Sequence, residues 1–99
     1  MKKHLLDILA CPIDKFYPLE LHELNTRKEY KYGTNGEKEE LVIEEGILFC
    51  NQCSRFYPII DEIPILLPDE LRDRDEDLKF LKRWRDRIPN RIIRDPRPY

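Results

Sequence analysis

Glycine is scarce in this chain of 99 residues, which has three in all. So few glycines leave no room for the phosphate-cradling loops of nucleotide enzymes. No serine-nucleophile motif and no H-E-x-x-H pair appears, and the two histidines and three cysteines do not advertise an oriented catalytic pair. The longest apolar run, Ile63 to Leu67, is broken by Pro64 and falls far short of the ~18 residues of a membrane span. The start, Met1-Lys2-Lys3-His4-Leu5-Leu6, lacks the long apolar stretch and small-residue cleavage site of a secretion signal, so the expected address is the cytoplasm. A chain this short buries only ~65% of its unfolded surface, and so thin a core invites a metal or a partner. No self-contained catalytic domain is expected.

Charge is plentiful, at 38% of residues, and unevenly placed. Residues 20–70 hold five basic against twelve acidic side chains, whereas residues 71–99 hold ten basic against six acidic. The centre repels phosphate and the C-terminal part attracts it, so nucleic-acid contact, if made, belongs to Arg83, Arg85, Arg87, Arg91 and Arg94. The plainer reading is a solvated charged helix and tail.

Apolar spacing predicts a two-turn helix over Lys3 to Leu9, limited by Pro12. A strand is predicted over Phe16 to Leu24, with Leu19, Leu21 and Tyr17 on one side. A hairpin follows, from Glu29-Tyr-Lys-Tyr32 through Gly33-Thr-Asn-Gly36 to Leu41-Val-Ile43. Glu45-Gly46 is expected to break the chain before Ile47-Leu48-Phe49, and Asp61-Glu62 to turn it before an edge segment constrained by Pro64 and Pro68. Asp69 is expected to cap a short helix. The stripe Leu78, Leu81, Trp84 and Ile88 predicts a helix from Asp77 to Pro89, followed by a tail, Asn90 to Tyr99, ordered only by docking. The expected architecture is α+β: a small zinc-ribbon-like antiparallel sheet over residues 1–68, with an N-terminal helix, and C-terminal helices and a basic tail over 69–99.

Cys50-Asn51-Gln52-Cys53 has the two-residue gap that lets two thiolates face one ion, and Cys11-Pro12-Ile13-Asp14 repeats the gap with an aspartate in place of the second sulfur. Three readings stay open. Asp14 ligates zinc through oxygen in a Cys₃Asp site. Alternatively Asp14 is a turn residue and the thiols are small buried apolar groups without metal. In the third, Cys50 and Cys53 form a transient disulfide. His4 or His22 is a weaker candidate for the fourth ligand.

Arg55-Phe-Tyr-Pro-Ile-Ile60 carries apolar residues on both faces of an extended chain. Either the Leu78, Leu81, Trp84 stripe covers the second face or another protein does. Leu5, Leu6, Ile63, Ile65 and Leu66 compete for the same thin core, and an apolar patch beside a free strand edge is what a binding module offers.

Four segments carry a resemblance: Leu5-Leu-Asp-Ile-Leu-Ala-Cys-Pro12, Glu45-Gly-Ile-Leu-Phe-Cys50, Cys53-Ser-Arg-Phe-Tyr-Pro-Ile59 and Asp61-Glu-Ile-Pro-Ile-Leu-Leu-Pro68. Together they resemble the small activator subunit of translation-related methyltransferases, called Trm-one-twelve in yeast. The short central segment, Asn25 to Glu40, is similar to the archaeal members. Asp14 stands where many members have cysteine, and Ser54 and Glu62 where glycine is frequent. The resemblance implies a non-catalytic subunit that forms heterodimers with class I methyltransferases acting on tRNA, rRNA or a release factor, with S-adenosylmethionine held by the enzyme. It implies partner contacts from Leu5, Leu6, Phe56, Tyr57, Ile59, Ile60, Ile63 and Ile65. A stand-alone zinc-ribbon-like RNA-binding protein is the alternative.

Overall fold

The computed structural model describes residues 1–33 and 36–99, and side chains outside 30–39. Strands β1 (Glu20–Gly33), β2 (Gly36–Phe49), β3 (Phe56–Ile60) and β4 (Ile63–Pro64) form one antiparallel sheet in sequence order. A 3₁₀ turn, Lys3–Asp7, precedes the sheet. After it come a 3₁₀ turn Asp69–Leu71, helix α1 (Arg74–Arg83), a 3₁₀ turn Arg85–Arg87 and helix α2 (Asn90–Arg94). The α+β class read from the sequence is borne out. The hairpin of β1 and β2 is also present, while its Thr34-Asn35 tip lies outside the described residues.

Each face of the sheet has its own cover. Ile43, Leu48, Tyr57 and Ile59 pack with Met1, Cys11 and Leu19, and with the half-buried Leu5, Leu6, Leu9 and Phe16. On the other face, Leu24, Ile47, Phe49 and Phe56 pack with Phe80, Leu81, Ile88 and Ile92. β3 is therefore enclosed on both sides by its own chain. Leu81 of the expected stripe is buried, with Leu78 and Trp84 at the margin of the cluster. Residues on both sides of Pro68 share this second core.

Several boundaries depart from the sequence reading for physical reasons. The first helix is a single 3₁₀ turn rather than two α-turns, and none of its residues is fully buried. β1 begins at Glu20, not Phe16, and Tyr17 points into solvent. Glu45-Gly46 does not break the chain; β2 runs through it. Instead the pairing shifts twice, with Thr26 opposite Ile43, Asn25 opposite Glu45 and Glu23 opposite Gly46. Glu44 is thus an extra residue in β2, a bulge that sets Ile43 on the same face as Leu48. Gly46 is required by crowding: a Cβ there would lie 2.9 Å from the His22 carbonyl oxygen and 3.1 Å from Ile43 Cγ2.

Helix α1 starts earlier than expected because Asp73 caps it, its carboxylate accepting from the Glu76 amide at 3.1 Å. It ends at Arg83 rather than Pro89. Asp69 does not cap a helix; its carboxylate takes both Arg55 nitrogens, at 2.9 and 2.8 Å. The tail docks on its own sheet. Ile92 is buried, the Phe56 amide donates to the Arg97 carbonyl at 3.2 Å, and the Tyr99 ring meets Phe56 edge-on. Ser54 and Glu62 adopt the left-handed conformation that glycine takes most readily, with φ of 64° and 70°.

Arg91 of α2 bonds Glu20 of β1, which also accepts from His22 at 2.6 Å. Partial burial pushes the Glu20 carboxyl up, but the His22 hydrogen bond and the Arg91 charge outweigh it and hold the group below its ordinary value of 4.5. A carboxyl depressed in the folded state stabilises fully above its unfolded pKa and loses that contribution as pH falls through the folded value. Glu20→Gln is therefore expected to cost about 0.5 kcal/mol at pH 7, a deficit that shrinks below pH 4.5, checked by urea denaturation across pH. Gly46→Ala is expected to cost about 1–3 kcal/mol in the same assay, since backbone rather than a movable side chain opposes the new methyl.

Candidate functional site

Two loops of the same construction meet at one end of the sheet. In the first, the Cys11 amide donates to the Phe16 carbonyl at 3.0 Å and the Lys15 amide to the Cys11 carbonyl at 2.9 Å. In the second, the Cys50 amide donates to the Arg55 carbonyl at 2.9 Å and the Ser54 amide to the Cys50 carbonyl at 2.8 Å. Each loop closes on a left-handed residue four positions after its first cysteine, Lys15 at φ 63° and Ser54 at φ 64°. Asp14 thus holds in the first loop the place that Cys53 holds in the second. The paired two-residue gaps signalled this in the sequence, whereas the matching left-handed closures did not show, since neither is glycine.

The four donor atoms of Cys11, Asp14, Cys50 and Cys53 lie within 4.8 Å of one another. Cys11 Sγ is 3.7 Å from Cys53 Sγ, and Cys50 Sγ is 3.6 Å from both Asp14 oxygens. A tetrahedral ion with metal–sulfur bonds of ~2.3 Å has ligand–ligand edges of ~3.8 Å, so these separations fit a divalent ion of zinc's size. Three sulfurs and one oxygen suit zinc, with the carboxylate as the harder member. His4 and His22 do not join the group: His22 is engaged by Glu20, and His4 is exposed 3.9 Å from Glu40. All three cysteines stand as free thiols.

Before an ion binds, the surroundings favour ionised donors at the outer side and a neutral thiol inside, which would lose its proton to the metal. The Phe16 amide, 3.0 Å from Asp14 Oδ1, holds that carboxyl below its ordinary range. Burial opposes ionisation of Cys53, but Arg55 overcomes it and lowers the thiol. Cys50 is fully buried, and that burial pushes its thiol up to about 12 without a cation to pair it. Tyr57, also fully buried, has its hydroxyl 3.1 Å from Cys11 Sγ, and burial followed by that contact raises its pKa. Arg55, fixed by Asp69, brings positive charge to a donor set whose net charge with a divalent ion is −2.

The side chains expected to meet a partner divide by exposure. Phe56, Tyr57 and Ile59 are fully buried within the chain's two cores and offer no side-chain surface in the free chain. Ile60 and Ile63 are exposed by 39% and 59%, while Leu5, Leu6 and Ile65 are half-buried. The arginines divide too. Arg83 and Arg87 lie over the Trp84 ring, Arg87 donates to the Leu24 carbonyl, and Arg91 bonds Glu20 and lies over Phe49. Arg85 and Arg94 are exposed on the surface of the C-terminal part. The sequence reading missed Arg72, whose guanidinium is buried among Phe56, Tyr57 and Tyr99. Its only signal was its place in a charged run.

Residues 2–62 match the family description "Trm112p-like protein". A UPF0434 protein of Dechloromonas aromatica (strain RCB) is 39% identical over 77 residues, covering 78% of this chain and 97% of that relative. No solved structure matches the chain. The family match takes in both cysteine loops, β1 to β3 and the turn at Asp61-Glu62, and α1 and α2 lie beyond it. On this match over more than half its length, the chain is a member of the Trm112p-like family.

Proposed function

We propose that this protein is a non-catalytic activating and stabilising subunit of class I methyltransferases that modify tRNA, rRNA or a translation release factor. Family membership supports a small partner protein, and the exposure of Ile60 and Ile63 at the short β4 edge is the observation that carries the contact. Leu5, Leu6 and Ile65 extend the contact. S-adenosylmethionine and the reacting groups belong to the enzyme. Binding only the folded enzyme raises its folded population by mass action, which accounts for activation without chemistry here. In this reading residues 1–68 form the partner-binding unit and 69–99 cover its second face. No helix among the described residues is long and apolar enough to cross a membrane, in keeping with work on cytoplasmic translation components.

The four-residue cluster is read as a structural zinc site. Cys11, Asp14, Cys50 and Cys53 hold the ion, which joins the two loops and supplies no reaction step. Direct RNA binding is the weaker reading, because the family match points to a protein partner and Arg87 and Arg91, though exposed, also hold contacts within the chain.

Zinc measured by atomic emission on the purified protein is expected near one ion per chain, with Cys50→Ser abolishing it. Asp14→Ala should lower the apparent affinity about tenfold or more and Asp14→Cys should raise it; equal retention in all three would remove Asp14 from the site. For the partner, Ile60→Asp and Ile63→Asp should each weaken a purified methyltransferase complex by about 1–3 kcal/mol while leaving the free chain's melting curve nearly unchanged. Complexes of undiminished strength would place the contact elsewhere.

A further inference from the structure

We infer that the groove between the β3–β4 hairpin and the first turns of α1 seats an extended apolar segment of the partner that carries lysine or arginine at its flanks. The inference rests on the reading of this chain as a partner-binding subunit, and it names the chemistry of what is bound. The groove holds about 280 Å³ and is floored by Pro58, Ile60, Ile65, Leu67 and Leu71. Ile60, Leu67 and Leu71 are exposed by 39%, 36% and 64%, and Ile63 stands opposite Ile60 in the hairpin. Half of the exposed large apolar residues described thus gather here. Isolated exposed leucines need no explanation, but a row of them along one groove does.

At the base lies Arg72, whose side chain is 2% exposed. Its Nε donates to Asp77 Oδ2 at 2.9 Å, and Nη2 lies near the same oxygen without the alignment of a hydrogen bond. Nη1 has no acceptor. The guanidinium is instead enclosed by the rings of Phe56, Tyr57 and Tyr99. Three carboxylates, Asp73, Glu76 and Asp77, line the same groove against the one cation Arg72, so it repels negative charge and attracts positive. The groove continues past Ile60 and Glu76 into a second depression of about 220 Å³, bounded by Glu45 and Phe80, with Lys79 and Arg83 on its far side. An apolar strand with basic flanks matches the floor and the acidic rim together. The opposite side of α1 is the reverse: Leu78, Leu81, Ile93 and Pro96 are rimmed by Lys82 and Arg85.

The test is a methyl and backbone NMR titration of the full chain with two synthetic hexapeptides, one alternating valine with lysine and one alternating valine with glutamate. The lysine peptide is expected to shift the methyls of Ile60, Ile65, Leu67 and Leu71 and the Arg72 Nε–H, while the glutamate peptide leaves them in place. Leu71→Ser and Glu76→Lys, both at exposed positions, should each weaken the lysine peptide about tenfold. Equal shifts from both peptides, shifts spread away from the groove, or full affinity in both variants would overturn the proposal. Complex formation with purified class I methyltransferases, measured alongside, separates the two ideas. A complex indifferent to Leu71→Ser and Glu76→Lys sinks the groove and leaves the subunit reading standing. Peptide binding without any methyltransferase complex does the opposite.

Discussion

Everything in this fold is organised around a five-residue strand that must be dry on both faces. β3 reads Phe-Tyr-Pro-Ile-Ile, and its first four residues are buried. A single small sheet cannot bury both its faces alone, so each end of the chain is drawn over one of them: the segment through Phe16 on one side, α1, α2 and the tail on the other. This explains why elements too short to persist in isolation are ordered here. A five-residue 3₁₀ turn and a five-residue helix have little stability of their own and hold because they cover apolar surface.

The same requirement places the candidate metal centre. Cys11 belongs to the segment covering one face, Cys50 follows directly on β2, and Tyr57 of β3 reaches Cys11 from the core. The cluster therefore adds to what holds the N-terminal segment on the sheet, beside the apolar packing of Leu5, Leu6 and Phe16 and the main-chain bonds exchanged between Met1 and Ile43. Polar anchoring serves the other face, through the buried Arg72, Asp77 and Tyr99 group. The donor cluster and the aromatic clamp both border β3, one through Tyr57 and the other chiefly through Phe56.

Much of this was legible in the sequence, and the failures share a cause. The cysteine spacings, the α+β class, the hairpin and the turn at Asp61-Glu62 all follow from local chemistry. The two-sided burial of β3 was legible as well, but not its cover, because Leu5, Leu78 and an outside protein compete equally on composition. Phe56, Tyr57 and Ile59, which the resemblance offers as partner contacts, are covered by the chain itself, Phe56 by the C-terminal elements and Tyr57 and Ile59 by the N-terminal segment. Gly46 read as a breaker because crowding from His22 and Ile43 on neighbouring chain is invisible locally. Arg72 looked like one more charge in a solvated run, since nothing local marks it for burial among three rings.

The twin loops around the cysteines close through identical main-chain bonds whether the fourth position offers sulfur or oxygen. Their shape is written by backbone geometry and not by the donor atom. Hard and soft donors are thereby interchangeable at one corner, so the appetite of such a protein for particular ions can drift across lineages while its architecture, and the face it shows to other proteins, stays put.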